Sequence, residues 1–251
     1  MQGLSLVKAA VQREHSGRTG FSISRLAEHV GLERSRASRL TQELRAMRFL
    51  ELDEGQALRA GPAFFSIAAV RNEHWMRSAR AELRRLGSRF DVSARISSRF
   101  GAGALLLRSE TGVGVSDVSV RPGMITPVWC TGAGRALLID LDDDAVAALL
   151  SDVVFVGVGG PRAPHSVPEV LERLARDRVA GCAVAVEEYE QGRSELGVPI
   201  RDGAGDVVAA LSAVTTELSG SAQAKLRAEL DRSRGRLEAV IRDGGASADQ
   251  G

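Results

Sequence analysis

The chain has 251 residues, 44% of them hydrophobic, which is enough for one large domain or two modest domains with their own cores. It has no apolar run near the ~20 residues that cross a bilayer, no stretch that resembles a signal peptide and only two cysteines, so we expect a cytoplasmic protein without membrane segments or a disulfide framework. The net charge of +1 divides into +8 over residues 1–99 and −7 over the rest, and the basic front half favours nucleic acid as its partner.

The segment between Ser22 and Met47 predicts a helix-turn-helix. Ser22 or Ser24 can cap a first helix, because a serine hydroxyl accepts a hydrogen bond from a free amide at the helix start, and Gly31 can end that helix in the left-handed conformation. A second helix begins at Glu33, and its predicted inward stripe is Ala37, Leu40, Leu44 and Met47. Four arginines then lie on the outer face, a pattern that suits phosphates and guanine edges in the DNA major groove.

A packing helix and a hairpin flank this motif. Apolar residues from Leu4 to Val11 predict the helix, and the alternation over residues 49–59, with a turn at residues 53–55, predicts the hairpin. A three-helix core followed by a hairpin is a winged helix, although an amphipathic helix pair alone is also common in proteins that bind no DNA. We expect the DNA contacts to come from the second helix and the wing, at Arg34, Ser35, Arg36, Ser38, Arg39, Gln42, Gln56 and Arg59.

A connecting helix is predicted from Phe64 to about Phe90, where apolar residues fall three or four apart and arginines take the other side. Such a helix can pack against a copy of itself. Trp75 and Met76 near its start are then expected at a dimer contact or, alternatively, on the winged-helix core of their own chain.

Strands and helices alternate in the second half of the chain. Strands are predicted over residues 92–98, 102–109, 113–120, 182–186, 196–201 and 207–214. Helices are predicted over residues 131–139, 142–150 and 168–179, with a final amphipathic helix that uses Leu226, Leu230, Leu237 and Ile241. An α+β domain with an antiparallel sheet follows from this order.

Three stretches carry a resemblance to a known family. They are LAEHVGLERSRASRL in the predicted helix-turn-helix, PVWCTGAGRALL at residues 127–138 and GCAVAVEEYEQGRSELGVPIRDGAGDVVAALS at residues 181–212. In order and spacing they are similar to the IclR family of bacterial transcriptional regulators. The resemblance implies an α+β chain with an N-terminal winged helix-turn-helix, a linker helix and a C-terminal GAF-like antiparallel-sheet domain. The implied bounds are 1–62 for DNA binding, 63–90 for the linker helix, 91–243 for effector binding and oligomerisation, and 244–251 for a disordered tail.

The resemblance also implies the partners. We expect a homodimer or tetramer that binds a near-palindromic operator in double-stranded DNA and changes its affinity when a small-molecule effector enters the C-terminal domain. No cofactor, metal or enzymatic activity is expected. Arg39 stands where the family usually keeps arginine, whereas Arg36 stands where a threonine is usual.

The effector pocket that the resemblance implies has three unusual positions. Ala185 replaces an acidic residue, Glu195 replaces a small residue such as cysteine, and Val214 replaces a common serine. A buried Glu195 disfavours a carboxylate ligand because like charge and desolvation oppose two anions together, so we expect a neutral or cationic effector, or none. The expected pocket residues are Val128, Cys130, Thr131, Gly132, Ala133, Ala185, Glu195, Leu196, Ser212 and Val214.

Two other functions stay open on the sequence. One is a constitutive DNA-binding dimer whose C-terminal domain serves only assembly. The other is a hydrolase that uses Ser194 or Cys130, with the front half as a regulatory appendage, although no base and orienting acid are apparent. The aspartates at positions 140 and 142–144 are expected to cap a helix rather than to hold a cation.

Overall fold

The computed structural model describes residues 2–15, 20–53, 55–64, 73–113, 121–216, 218 and 220–248. The chain divides into two compact units, which we call the head, Met1–Asn72, and the C-terminal unit, Glu73–Gly251. Each of the described helices is too short or too polar to span a lipid bilayer.

The head is a winged helix. Its helices are α1 (Gln2–His15), α2 (Ile23–Val30) and α3 (Arg34–Ala46), followed by the antiparallel strands β1 (Leu50–Leu52) and β2 (Leu58–Ala60). Phe21 adds a single isolated β-bridge to Leu58 beside this two-stranded sheet. The caps are those that the sequence predicts, since Ser22 accepts from the Arg25 N–H and Gly31 ends α2 at φ 67°.

The inward stripe of α3 differs from the prediction at one end. Ala37 and Leu44 are buried as expected, but Met47 is 55% exposed. The helix ends at Ala46, so Met47 is its C-cap and no longer follows the helical stripe. Thr41 is buried in the stripe instead, and its hydroxyl donates to the Ala37 carbonyl at 2.7 Å.

The C-terminal unit is built on a six-stranded antiparallel sheet. Its strands are β3 (Ser93–Phe100), β4 (Gly103–Thr111), β5 (Ile125–Pro127), β6 (Ala183–Val186), β7 (Ser194–Arg201) and β8 (Val207–Thr215). Their spatial order is β5-β4-β3-β8-β7-β6. The α+β fold class is thereby confirmed. The sequence did not predict β5, and residues 114–120 of the predicted strand 113–120 lie outside the described residues.

Helices cover both faces of this sheet. On one face lie α4 (Glu73–Phe90) and α8 (Gly220–Ala248), and on the other α5 (Gly132–Leu138), α6 (Asp143–Leu150) and α7 (Val167–Ala180). Successive residues of a strand point to opposite faces of the sheet, so the strands contribute side chains to two separate cores. Leu196 and Leu211 lie in the first core, and Ala183 and Ala210 in the second.

The connecting helix α4 packs within the C-terminal unit. Met76 is 6% exposed and lies in the core that α4 shares with α8 and the sheet, and half-buried Trp75 packs against that core. Met76 therefore belongs to the core of the C-terminal unit, a placement that neither sequence-based alternative predicted. At the other end of the unit, α8 runs to Ala248, into the segment 244–251 that was expected to be a disordered tail.

Candidate functional site

The outer face of α3 presents a row of basic and polar side chains. Ala37, Thr41 and Leu44 are buried, which turns the remaining positions of the helix outward. Of the residues that the sequence predicts for DNA contact, Ser38 is half-buried and five are exposed, namely Arg34, Ser35, Arg36, Arg39 and Gln42. The structure thus leaves this part of the predicted set accessible to solvent along α3.

An acidic cap occupies the start of that face. The Glu33 carboxylate accepts hydrogen bonds from the Ser35 hydroxyl at 2.6 Å and from the Ser35 N–H at 3.3 Å. These hydrogen bonds from Ser35 hold the pKa of Glu33 below its usual value. The Ser35 hydroxyl proton is therefore already donated within the chain, and a contact of Ser35 with a phosphate must replace this bond.

The two wing residues of the predicted set have different surroundings. Gln56 is exposed in the turn of the hairpin, where its φ of 62° places it in the left-handed region. Arg59 is half-buried and forms an ion pair with Asp53, with Nε 3.1 Å from the carboxylate. Asp53 also accepts from the Ala57 N–H at 2.8 Å, so Arg59 is held against the base of the wing.

A small cavity of about 20 Å³ lies in the C-terminal unit. Four of the predicted pocket residues line it, namely Cys130, Ala185, Glu195 and Val214. Five further residues that the sequence did not predict also line it: Arg95, Tyr189, Glu190, Arg193 and Ser194. Arg95 is only 6% exposed. The alternation of β3 places it on the same face as Ser93 and Ser97, but no local pattern shows which strands are its neighbours.

The register of the sheet explains which predicted residues meet. Ala185 pairs with Glu195 and Glu195 pairs with Val214, so these three side chains stand in one row on the face that carries α5. Leu196 follows Glu195 and points to the opposite face, where it is buried in the core with α4 and α8. The expectation that Leu196 lines the pocket is therefore wrong.

The start of α5 is closed by the chain itself. Glu195 Oε2 accepts from the Gly132 N–H at 2.9 Å, and the Thr131 hydroxyl accepts from the Gly134 N–H at 3.0 Å. Thr131 also donates to the Pro127 carbonyl at 2.7 Å. A Cβ on Gly132 would lie 2.6 Å from the Glu195 carbonyl oxygen, so only glycine allows this approach. The Gly132 and Gly134 amides at this helix start are thus already bonded within the chain.

The remaining predicted pocket residues are buried around α5. Val128 and Ala133 belong to the core on that face, and Ser212 is 0% exposed. Within the described part of the chain, Ser212 Oγ has no hydrogen-bond partner. Cys130 is also buried, and desolvation together with the nearby Glu188 raises the pKa of its thiol to about 12. A thiol in this environment stays protonated, which weighs against its use as a nucleophile.

A buried ion cluster surrounds Arg135 of α5. Arg135 on α5 is 1% exposed and donates to the carboxylates of Asp177 and Glu188 and to the Val184 carbonyl. Burial raises the pKa of Glu188, although the charges of Arg135 and Arg173 act to lower it. Val184 belongs to β6, the edge strand of the sheet, so the guanidinium ties α5 and α7 to that edge. Arg135 lies in the motif at residues 127–138, but no local sequence pattern predicts its partners.

Comparisons with known proteins bear on both sites. Residues 67–236 match the family model described as "Bacterial transcriptional regulator IclR C-terminal". The chain is similar to the Pca regulon regulatory protein of Pseudomonas putida, with 30% identity over 139 residues that cover 55% of this chain and 47%, about half, of that protein. It is also similar to the HTH-type transcriptional repressor AllR of Salmonella typhi, with 28% identity over 204 residues that cover 79% of this chain and 74% of that protein.

A solved structure has the same fold. The IclR homolog from Microbacterium hydrocarbonoxydans, crystallised in complex with 4-hydroxybenzoate, is 21% identical in sequence. It matches with a TM-score of 0.66 over 95% of this chain and 98% of that chain. The shared fold therefore includes both units.

Proposed function

Since the chain belongs to the IclR family of bacterial transcriptional regulators, we propose that it binds a near-palindromic operator through its head and responds to a small molecule in its C-terminal unit. The family model confirms the resemblance inferred from the sequence. The proteins named in the comparisons are regulators of transcription rather than enzymes, in agreement with the expectation for this chain.

The exposed face of α3 is the observation that carries the DNA-binding proposal. Arg34, Arg36 and Arg39 lie on the solvent side of a helix whose other side is buried in the head. Guanidinium groups bind phosphates and guanine edges, and the second helix of this motif enters the major groove. If these arginines were buried in the head, α3 would offer DNA no row of guanidinium groups.

A homodimer or tetramer follows from the proposed operator symmetry. Two heads that read half-sites about 34 Å apart, one helical turn of DNA, require two copies of the chain. Gln56 at the tip of the wing is exposed and can contact the backbone beside each half-site. Arg59 can do so only if its ion pair with Asp53 is exchanged for one with a phosphate.

The cavity beside α5 is the proposed effector site. The neighbour from Microbacterium hydrocarbonoxydans binds 4-hydroxybenzoate, which supports small-molecule binding in this fold. In the present chain Glu195 and Arg95 both line the cavity, so its chemistry differs from that of a simple anion site. We propose a neutral or cationic effector, because Glu195 opposes a second carboxylate.

The size of the cavity favours a second candidate function. A volume of about 20 Å³ admits about one water molecule, so an effector must open the pocket before it binds. A constitutive DNA-binding dimer without an effector is the alternative that this observation supports. The hydrolase alternative has no such support at Cys130, because the raised pKa of this thiol and its burial disfavour a thiolate.

Selection of genomic fragments with the purified full chain tests the proposed function. We expect duplex fragments that share a near-palindromic site, with binding that weakens as salt rises because arginine contacts release counterions. A thermal-shift screen of neutral and cationic metabolites then separates a ligand-responsive regulator from a constitutive one. Failure to bind any duplex at low salt contradicts the proposal.

A further inference from the structure

Glu195 is an acidic side chain buried inside the proposed effector cavity. It is 7% exposed, and its Oε2 accepts a hydrogen bond from the Gly132 N–H at 2.9 Å. A buried carboxylate is costly unless hydrogen bonds or opposite charge compensate it. Gly132 supplies the hydrogen bond, and Arg95, 6% exposed on the same cavity, supplies a positive charge.

The space left beside Glu195 is very small. The cavity of about 20 Å³ is close to the minimum that holds one water molecule, whereas small-molecule sites occupy about 300 Å³ or more. The Glu195 side chain projects from β7 toward the start of α5, and its backbone carbonyl lies close to Gly132 as well. The Glu195 side chain therefore takes up part of the space between β7 and the start of α5.

We propose that Glu195 acts as an internal ligand of this pocket and that its carboxylate, hydrogen-bonded to the Gly132 N–H, closes the wild-type pocket to small carboxylates. This inference rests on the proposed function, in which the cavity is the effector site, and it adds the residue that determines the charge class of the ligand. A second carboxylate cannot bind beside Glu195 because the two anions repel each other and both lose water. A cation or a neutral donor can pair with Glu195 instead.

Removal of the side chain provides a direct test with acetate. Glu195→Ala deletes the CH₂–COO⁻ group, which has the same heavy atoms as acetate, and leaves the Gly132 N–H without its acceptor. We expect acetate to bind the full-length variant in the vacated space and to raise its unfolding temperature in a saturable way. For so small a ligand the dissociation constant is expected on the order of millimolar. Sodium chloride at equal ionic strength and uncharged acetamide are the reference additives.

Two chains serve as controls. The wild-type chain should show the same unfolding temperature in acetate and in chloride, since Glu195 closes the site. Glu190→Ala removes another carboxylate from the cavity lining, one that pairs with Arg193 at 3.2 Å, and should gain no acetate response. A response specific to Glu195→Ala supports the internal ligand, whereas an equal response of Glu190→Ala assigns the effect to net charge and overturns the proposal.

The wild-type measurement keeps the proposal falsifiable if the alanine variant fails to fold. Saturable acetate binding by the wild-type chain overturns it, and so does a folded Glu195→Ser or Glu195→Ala variant that ignores acetate. The experiment contains no DNA and no effector. Loss of operator binding, or a metabolite screen without hits, would therefore remove the proposed function and leave the acetate result unaffected.

Discussion

Arg85 of the connecting helix and Glu229 of the final helix form an ion pair in which the Glu229 side chain is 1% exposed. Glu229 Oε2 also forms ion pairs with Arg89, whose Nη1 lies 3.3 Å away, and with Arg232, whose Nη2 lies 2.5 Å away. A second acid, Glu82 on the connecting helix, binds Arg236 of the final helix at 2.7 Å. These pairs lie beside the apolar contacts between the two helices and fix the connecting helix to the C-terminal unit.

Glu229→Gln should destabilise the protein by about 1 to 3 kcal/mol, because the negative charge is lost and one of the two acceptor oxygens becomes an NH2 group that faces arginines. Denaturant unfolding of the full chain measures the change. The matched control is Glu172→Gln, whose pair with Arg176 is exposed at both ends and should contribute less than about 1 kcal/mol. Equal effects of the two substitutions would contradict a special role for Glu229.

The same pair predicts a dependence on pH. Hydrogen bonding from Arg232, opposed by burial and reinforced by Arg85, lowers the pKa of Glu229 from 4.5 to about 2. A depressed folded-state pKa gives stability that is fully present above the unfolded value and is lost as pH falls toward the folded value. The difference in stability between wild type and Glu229→Gln should therefore be constant above about pH 5 and shrink between pH 4.5 and 2. A difference that grows over this window would reverse the assigned sign.

Arg39→Ala should weaken operator binding by about 1 to 3 kcal/mol if Arg39 contacts a guanine. Arg39 is exposed on α3, so its removal should leave the fold of the head intact. Gel-shift titration with the recovered operator measures the loss. Arg176→Ala, an exposed arginine of the C-terminal unit, is the control and should leave operator binding unchanged. Unaltered binding by Arg39→Ala would exclude this residue from the interface.

Arg135→Lys should destabilise the C-terminal unit by about 1 to 3 kcal/mol despite conserving the charge. Arg135 binds Asp177, Glu188 and the Val184 carbonyl at once, and an ammonium group cannot reproduce that planar fork. Thermal or denaturant unfolding measures the change, with the exposed Arg176→Lys as the reference substitution. Equal stability of the two lysine variants would mean that the planar guanidinium of Arg135 adds no stability beyond that of its charge.

The sequence predicted the individual helices and strands better than it predicted which of them lie side by side. Helix ends were predictable because caps are local: Asp142 accepts from the Ala145 N–H at 2.7 Å, and Gly31 takes the left-handed conformation that ends α2. The exposed face of α3 was predictable for the same reason, since the 3.6-residue period of a helix can be recognised within one continuous segment. The predicted burial of Met47 was wrong because the helix ends one residue earlier, at Ala46, so Met47 is not part of the buried stripe.

The candidate pocket shows the opposite case. The resemblance supplied Glu195 and Gly132 as separate positions, but their hydrogen bond depends on β7 lying under the start of α5. Arg95 was missed because it is 100 residues before Glu195 and reaches the cavity only through the strand order β3-β8-β7. Leu196 was assigned to the pocket although the pleat places it on the other face.

By itself, then, the sequence determined the winged helix with its basic helix face, the α+β class and the family, because these depend on local periodicity, caps and motif order. Only the tertiary structure decided that Glu195 accepts from the Gly132 N–H, that Arg135 is the buried partner of two acids, and that Glu229 pairs with the connecting helix. Each of these contacts joins residues 40 or more positions apart, and such contacts depend on how strands are ordered and helices are laid across them, which no stretch of neighbouring residues encodes.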